Sequence, residues 1–532
     1  MDKDAKPCEA KLYSDEKSSQ LRESIRSRNQ YTLIAKLPPE VLSEVFLHAE
    51  LASRKRPDGV REPKLRFNFS FVCQYWRIVA LSTPDIWSTL PENLGSNWSS
   101  IMLERSKNAG LTIDSILRDC DTPQGKSFNS ELQKVVATYS NKLVDLTISC
   151  DDTMPQEDLQ MFLDALPLSA YRLRHLRFAL DAFSRQWPTI PESVFSDTRL
   201  STLWMKGCDI AWTSSLMRGL EDLKITVGRS TSLLDFLDAL KRMPSLKHLS
   251  LTHRSPFSDF PLSETRILLS SLQTLNVTLQ PRDFVNVLRY LVVPASVVVE
   301  FRCFGSPDQE DTEIWSSSIR TFFSSMKGNS EVGVSTFQTL SISNDPNTKT
   351  SVRAWHQQLD GPFSTLDITP NFLFISRTVE PWLAGLFNSL PLSNLKTLKV
   401  LGLPSQPLLI QSFGDLPELE TIHFDDSTQI TRILQFSDIE DSSPIAFPHL
   451  QNLFMRCIFF SKINNSPRTS VDSLRECFLN RLSLGIPIQK ISIIESSNIK
   501  HDDIRALSEI VPSVSWDGIE DYYGEEEDKF YA

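Results

Sequence analysis

Glycine is scarce in this chain, and the short motifs on which many catalytic sites are built are missing. Only 17 of the 532 residues are glycine, which is few for loops that cradle phosphate groups. The motifs GxGxxG, GxxxxGK(S/T), GxSxG and HExxH are absent, and no two of the eight histidines stand four residues apart. The sequence therefore predicts no catalytic residue, although an active site gathered from distant parts of the chain stays open.

Long apolar runs and paired cysteines are also missing. No run approaches the roughly 18 uninterrupted apolar residues of a membrane span, and Met1-Asp2-Lys3-Asp4 begins no secretory signal. We therefore expect no membrane segment and a location in the cytoplasm or nucleus. The eight cysteines form no CxxC pair, which predicts reduced structural thiols and no metal site. No cofactor is indicated.

An excess of basic charge is absent as well. The chain has 55 Lys and Arg against 66 Asp and Glu, a net charge of -11, and its pI is near 5.4. This balance argues against nucleic acid as a partner. The apolar fraction of 40% favours a folded protein, and the length predicts about two to four units or one elongated repeat domain.

One stretch, residues 37–90, carries the most informative pattern. Leu-Pro-Pro-Glu at 37–40 is a helix start, because proline fits the first turn and Glu favours the positive helix end. One apolar helical stripe follows, then a basic loop, then a second stripe from Phe69 to Ala80. A unit of about fifty residues buries little surface. We therefore expect it to complete its core against another surface.

Several fixed points of a known motif lie in this stretch. They are Leu37-Pro38, Glu40, Leu42, Phe46, Val72-Cys73, Trp76 and Trp87. In this spacing they resemble the F-box, although the loop from Leu51 to Lys64 is longer than usual, as in the F-box-like proteins of mushroom-type fungi. The resemblance implies that a Skp-family adaptor of a cullin-based ubiquitin ligase binds Leu37, Pro38, Val41, Leu42, Val45, Phe46, Val72, Cys73 and Trp76. The alternative is a helical hairpin packed on the protein's own next domain.

A six-residue phrase, Leu-x-x-Leu-x-apolar, recurs beyond Trp87. After a first short strand at 111–113, it starts at Leu143, Leu173, Leu200, Leu220, Leu246, Leu272, Phe337, Phe363, Leu395, Leu419, Leu450 and Ile488. Most starts are about 20 to 30 residues apart, which is the leucine-rich-repeat period. The long gap before Phe337 predicts a degenerate strand at Val297 to Phe301, and helical segments separate the phrases.

The predicted fold class is therefore α/β, with a small all-α F-box followed by an irregular leucine-rich-repeat solenoid, a curved parallel sheet with outer helices. The predicted divisions are a disordered tail at 1–20, a lead-in helix at 21–36, the F-box at 37–90, the solenoid at 91–516 and an acidic tail at 517–532. The lead-in helix would pack on the F-box or pair with a partner helix. The acidic tail would aid solubility or contact a basic partner.

The third and fifth positions of each phrase are expected to face outward from the sheet. They include Thr397 and Lys399 and, one phrase later, Thr421 and His423. We hypothesise that five of these positions bind an acidic or phosphorylated segment of a target protein: His175, Arg177, Trp204, Lys224 and His248. The alternative is that threonines occupy these positions because they favour strands, and that the charges are simply solvated.

Two functions follow from this reading. In the first, the chain is the substrate-recognition subunit of an SCF-type ubiquitin ligase, non-catalytic itself. Its F-box would hold the Skp-family adaptor, and through it the cullin, while the repeats hold an unknown target protein. In the second, it is a leucine-rich-repeat interaction scaffold without ligase activity. Recovery of adaptor and cullin together distinguishes the first from the second.

Overall fold

The chain forms two compact units, Met1–Arg218 and Gly219–Ala532. The computed structural model describes residues 20, 23–24, 27–29, 31–54, 68–90, 96–150, 154–180, 187–229, 231–258, 266–304, 312–326, 336–344, 350–359, 369–376, 380–402, 405–425, 446–460 and 470–520. The division at 218–219 falls inside the predicted repeat region, and the predicted F-box shares the first unit with the first repeats.

The first unit begins with helices. The described residues between 20 and 29 are helical, and a 3-10 turn, Leu33–Lys36, follows. Helices α1 (Pro39–Arg54), α2 (Phe69–Val72) and α3 (Gln74–Ser82) come next, then the 3-10 turn Pro84–Trp87. The loop predicted to start at Leu51 therefore starts later, because α1 continues for four more residues to Arg54.

Beyond the helices, the first unit alternates strands with helices. The strands are β1 (Thr89–Leu90), β2 (Leu111–Ile116), β3 (Leu143–Cys150), β4 (His175–Leu180), β5 (Thr189–Ile190), β6 (Thr202–Lys206) and β7 (Asp209–Ile210). The helices are α4 (Ser96–Arg105), α5 (Pro123–Thr138) and α6 (Gln156–Asp164), with 3-10 turns at Ser140–Lys142 and Ser215–Met217. Strands β1, β2, β3, β4 and β6 pair in that order, all parallel, and β5 pairs with β7.

The phrase explains this strand geometry. In β4 the side chains alternate between exposed and buried, and Leu176, Phe178 and Leu180 are on the buried side. Side chains of a strand point to opposite faces in turn, so the two apolar positions inside the strand enter the core together. The first leucine of the same phrase, Leu173, is also fully buried just before the strand.

The second unit continues the alternation. Its strands are β8 (Asp222–Val227), β9 (His248–His253), β10 (Ile267–Leu268), β11 (Thr274–Leu279), β12 (Leu291–Val292), β13 (Val298–Cys303), β14 (Thr339–Asn344), β15 (Thr350–Trp355), β16 (Phe372–Ser376), β17 (Thr397–Leu401), β18 (Thr421–Asp425), β19 (Asn452–Arg456), β20 (Lys490–Ile494) and β21 (Ser513–Trp516). Its helices are α7 (Leu233–Lys241), α8 (Pro281–Tyr290), α9 (Thr312–Ser325), α10 (Glu380–Phe387), α11 (Gln406–Phe413), α12 (Ser470–Ser483) and α13 (His501–Ser508).

The main sheet of the second unit is mostly parallel, but its strands do not follow chain order throughout. Strands β8, β9, β11 and β13 are successive parallel neighbours, and so are β17 to β21. Between these two runs, β13 pairs with β16, and β14 pairs with β17. Strand β15 lies between β14 and β16 and is antiparallel to both. The prediction of a parallel sheet is therefore wrong at β15.

Aromatic side chains fill the core where the strand order changes. Phe301 of β13 meets Phe372 of β16 edge-on, with ring centroids 5.7 Å apart. Trp315 on α9 lies 4.6 Å from Trp382 on α10 and 5.7 Å from Phe374 on β16. Such rings bury large areas and favour edge or tilted contacts, so they can fill the irregular space that a change of strand direction leaves.

The architecture is thus α/β with mostly parallel strands. Each predicted phrase within the described residues coincides with a strand, and the degenerate strand at Val297 to Phe301 is confirmed as β13. The phrase at Phe363 lies outside the described residues. Strands β15 and β16 were not predicted, because neither carries the phrase.

Candidate binding surfaces

The helices of residues 37–90 close a small core of their own. Phe46 of α1 stacks on Phe69, with centroids 4.6 Å apart, and contacts Trp76 of α3 at 5.1 Å. Leu42 and Phe46 are fully buried. At the far end, the Trp87 indole Nε1–H donates to the Ala80 carbonyl oxygen at 2.7 Å. These contacts fix how α1, α3 and the turn after α3 lie against one another.

Cys73 has a specific structural role between α2 and α3. Its backbone is extended, with φ -157° and ψ 172°, so it separates the two helices and caps the second. The Cys73 Sγ accepts a hydrogen bond from the Trp76 backbone N–H at 3.5 Å. In Val-Cys-x-x-Trp, the cysteine therefore acts as the N-cap residue of the helix that contains the tryptophan. The stripe predicted as one helix from Phe69 to Ala80 is two helices, with Cys73 between them.

Apolar side chains outside this core remain at the surface. Leu37, Cys73 and Trp76 are half-buried and Pro38 is exposed. The most exposed large apolar side chains of the helical region, at fractions of 43% to 84%, are Tyr31, Leu33, Ile34, Val41, Val45, Phe71, Val72 and Ile78. Val41 and Val45 are one turn apart on α1, so they share a face.

The structure thus divides the nine predicted adaptor-binding residues by exposure. Leu42 and Phe46 are core residues, whereas Pro38, Val41, Val45 and Val72 are accessible. Sequence reasoning did not select Phe71 and Ile78, which are 70% and 58% exposed. Both stand between the positions of the apolar stripe predicted from Phe69 to Ala80. An apolar residue at such a position was the sequence signal that could have identified them.

A second surface is the outward face of the first unit's sheet. His175, Arg177 and Lys206 are exposed there, and Trp204 is half-buried. Arg177 and Trp204 are direct register partners on β4 and β6, and the Arg177 guanidinium carbon lies 4.3 Å from the centre of the Trp204 ring. The sequence hypothesis named three of these four residues; Lys206 was missed because it follows the six-residue phrase.

The end of β6 is held close to β4 by a glycine. Gly207 has φ +75°, and a Cβ at this position would lie 1.5 Å from the Leu180 carbonyl oxygen. Only glycine allows this approach without moving the backbone. Lys206, the residue before it, is thereby fixed beside Ala179 on the outward face.

The other two predicted target-binding residues belong to the second unit. Lys224 is exposed on β8. His248 is half-buried on β9, where its Nδ1 lies 2.9 Å from the Thr274 hydroxyl oxygen. The five residues therefore do not form one surface within a single compact unit.

The outward face is not accessible throughout the second unit. Lys399 and His423 are register partners on β17 and β18, yet they are only 3% and 1% exposed. The threonines Thr397 and Thr421 beside them are also buried. These four positions, predicted to face outward from the sheet, do not meet solvent, because both faces of β17 and β18 are covered.

Burial at this place changes the chemistry of a histidine. Desolvation lowers the pKa of His423 to about 3, and the positive charge of Lys399 acts in the same direction. The His423 ring stacks on Phe454 of β19 at 4.3 Å. His423 is therefore a neutral side chain of the interior at physiological pH.

Neither a group of metal ligands nor a membrane-spanning helix is present in the described parts of the chain. There, no three His, Cys, Asp or Glu side chains are grouped so that they could hold a metal ion. No helix among the described residues is long and apolar enough to cross a membrane. No protein-family model matches the sequence, and no curated protein is significantly similar to it.

Proposed function

We propose that this protein is the substrate-recognition subunit of a cullin-based, SCF-type ubiquitin ligase. Residues 37–90 would act as an F-box that binds the Skp-family adaptor, and the strand–helix repeats of residues 91–516 would form a leucine-rich-repeat solenoid that holds a target protein. One observation supports this most directly. The helical region has a closed core and still exposes Val41, Val45, Phe71, Val72 and Ile78.

This exposure is the main argument for a partner. Isolated apolar residues on a surface need no explanation, but a concentration of large ones on one small region is typical of a protein interface. The lead-in residues Tyr31, Leu33 and Ile34 are also exposed apolar side chains. Aromatic and aliphatic anchors of this kind contribute most of the binding energy where they become fully desolvated.

The predicted adaptor-binding residues would then have two roles. Val41, Val45 and Val72 would contact the adaptor directly. Leu42 and Phe46 would hold the helices in place, because they are buried before any partner binds. Trp76 is half-buried against Phe46 and would do both. The energy of association would come from buried apolar area rather than charge.

The protein would form no covalent bond itself. Bound to the adaptor and cullin in the cytosol or nucleus, it would keep a target near the activated ubiquitin. Holding two reactants together raises their effective concentration. That positioning would be its contribution to catalysis.

The test is binding of the purified full chain to a purified Skp-family adaptor, alone and in complex with cullin. We expect the wild type to bind both. Val45→Asp should abolish binding, because it places a charge in the apolar contact while leaving the buried core intact. Leu234→Asp is the matched control, since Leu234 is 44% exposed and Val45 43%.

Two outcomes would contradict the proposal. If the folded wild type binds no adaptor, residues 37–90 are not an F-box, and the helices serve the first unit alone. If it binds the adaptor but the adaptor complex excludes cullin, the chain is an interaction scaffold without ligase activity. Circular dichroism of each variant establishes that it is folded.

A further inference from the structure

The outward face of β4 and β6 combines an arginine, an aromatic ring and two further basic side chains. Arg177 stacks on Trp204 at 4.3 Å. His175 lies two residues before Arg177 on the same strand, and Lys206 lies two residues after Trp204 on the neighbouring strand. His175, Arg177 and Lys206 are all exposed. We infer that this surface binds a peptide segment of a target protein through an aspartate or glutamate side chain.

The Arg177–Trp204 contact prepares the arginine for such a ligand. Stacking uses the flat face of the guanidinium group and leaves its N–H donors at the edge, where they match the two oxygens of a carboxylate. Among the described residues, Arg177 is in no ion pair. Its side chain is therefore oriented by a neighbour but not neutralised by one.

The surroundings of Arg177 favour a single carboxylate over a phosphate. Asp145 on β3 is the register partner of His175, and Asp114 on β2 is the partner of Thr147, which in turn faces Arg177. Asp145 and Asp114 thus share the outward face of the sheet with Arg177 and Lys206. A phosphate, with a charge near -2, would be repelled more strongly than a carboxylate.

Trp204 gives this contact a second component. It is half-buried, so part of its side chain meets solvent beside Arg177 and can contact an apolar residue next to the acidic one. Large aromatic side chains beside an arginine are typical of residues that dominate binding. The expected ligand is therefore an acidic residue followed or preceded by an apolar one.

This inference rests on the proposed function in one respect: the proposed function makes the bound peptide part of a protein marked for degradation. The peptide contact lies on the sheet of the first unit, whereas the adaptor contact lies on its helices. Arg177→Ala should therefore bind the adaptor like the wild type, and Val45→Asp should bind peptide like the wild type. Failure of one proposal leaves the other measurable.

The experiment uses the full chain and three arrays of degenerate peptides that differ only in a central glutamate, phosphoserine or glutamine. We expect the glutamate array to give the strongest binding. For the best glutamate peptides, Arg177→Ala should weaken binding about tenfold to a hundredfold, the range for hydrogen bonds to a charged group. Arg177→Lys should be intermediate, because lysine keeps the charge and loses the planar fork.

Matched variants make the result specific. Arg505→Ala removes an arginine that is 78% exposed in the second unit and should leave peptide binding unchanged. If Arg505→Ala weakened peptide binding as much as Arg177→Ala, the loss would reflect the net charge of the protein and not a specific site, and the inference would be overturned. So would equal binding of the glutamine array, or tighter binding of the phosphoserine array, since either outcome rejects the carboxylate as the recognised group.

Discussion

The outward faces of two strand pairs, β4–β6 in the first unit and β17–β18 in the second, carry the same sequence phrase and have opposite environments. Arg177 on β4 is exposed and stacked on a tryptophan. Lys399 and His423 occupy the equivalent fifth position of their phrases and are almost completely buried. A basic residue at this position is therefore a surface group in one unit and an interior group in the other.

The comparison shows what a repeat phrase determines. Its apolar positions are buried in both strand pairs, because alternation sends them to one face. For the outward positions, the phrase determines only which face of the sheet the side chains lie on. Whether that face meets solvent depends on the rest of the chain. A binding surface can accordingly be proposed for β4–β6 and not for β17–β18.

The inward positions should give the largest effects, and equal ones in the two units. Leu176 and Leu398 are each 1% exposed. Leu176→Ala and Leu398→Ala should each lower the free energy of unfolding of the unit concerned by about 2 to 5 kcal/mol, because each leaves a cavity. Chemical denaturation followed by circular dichroism measures this. A variant that unfolds like the parent would show that its leucine is not in the core.

The outward lysines should separate the two faces. Lys399 is buried, so Lys399→Ala should cost about 1 to 3 kcal/mol by leaving space in a packed interior. Lys206 is exposed on β6, and Lys206→Ala should change stability by about 0.5 kcal/mol or less. The same denaturation experiment compares them, and equal costs would remove the distinction between the faces.

His423 should make stability depend on pH in a direction that an exposed histidine would not. Its pKa is near 3 in the folded protein and 6.5 ordinarily, so the unfolded chain takes up the proton first as the pH falls. Its contribution is complete above pH 6.5 and is lost towards pH 3, by about 1.4 kcal/mol per pH unit. His423→Phe can keep the stack on Phe454 and should remove this dependence in a calorimetric pH series.

Asp283, in the same unit, should change stability with pH in the direction opposite to His423, so the two contributions must be measured separately. Burial raises the pKa of Asp283 to about 6 from an ordinary 3.8, so the folded protein binds the proton first, and stability increases as the pH falls between these values. Asp283→Asn should therefore steepen the acid destabilisation, whereas His423→Phe should reduce it. If His423→Phe leaves the profile unchanged, His423 is accessible to solvent.

The strand positions could be predicted from sequence because the phrase encodes them locally. At each predicted phrase within the described residues, the apolar residues and a short strand coincide. The antiparallel β15 could not be predicted, because Thr350–Trp355 lacks the phrase and its direction follows from contacts with β14 and β16. Long-range pairing of this kind leaves no periodic signal in the strand itself.

The candidate surfaces were only partly predictable for a related reason. The spacing of Leu42, Phe46 and Trp76 predicts side chains that pack together. In the structure Leu42 and Phe46 are buried, and Phe46 contacts Trp76. Whether a side chain is exposed depends on which other parts of the chain cover it, and the local sequence does not encode this. For that reason the exposed Phe71 and Ile78 were not predicted, and the buried Lys399 was predicted to face outward. The Arg177–Trp204 pair was identifiable, since both stand at outward positions of adjacent phrases.

Only a small effect on stability is expected from Arg177 in the absence of ligand. At exposed sites, a stack of arginine on an aromatic ring contributes about 0.5 to 1 kcal/mol, so Arg177→Ala should reduce the unfolding free energy by no more than this. Loss of the contact should nevertheless alter the fluorescence of Trp204, with Trp204→Phe as the reference that identifies its signal. A cost comparable to that of Lys399→Ala would mean that Arg177 supports the fold. The guanidinium would then be a structural group like the buried lysine, and the contrast between the two faces would no longer indicate where a ligand binds.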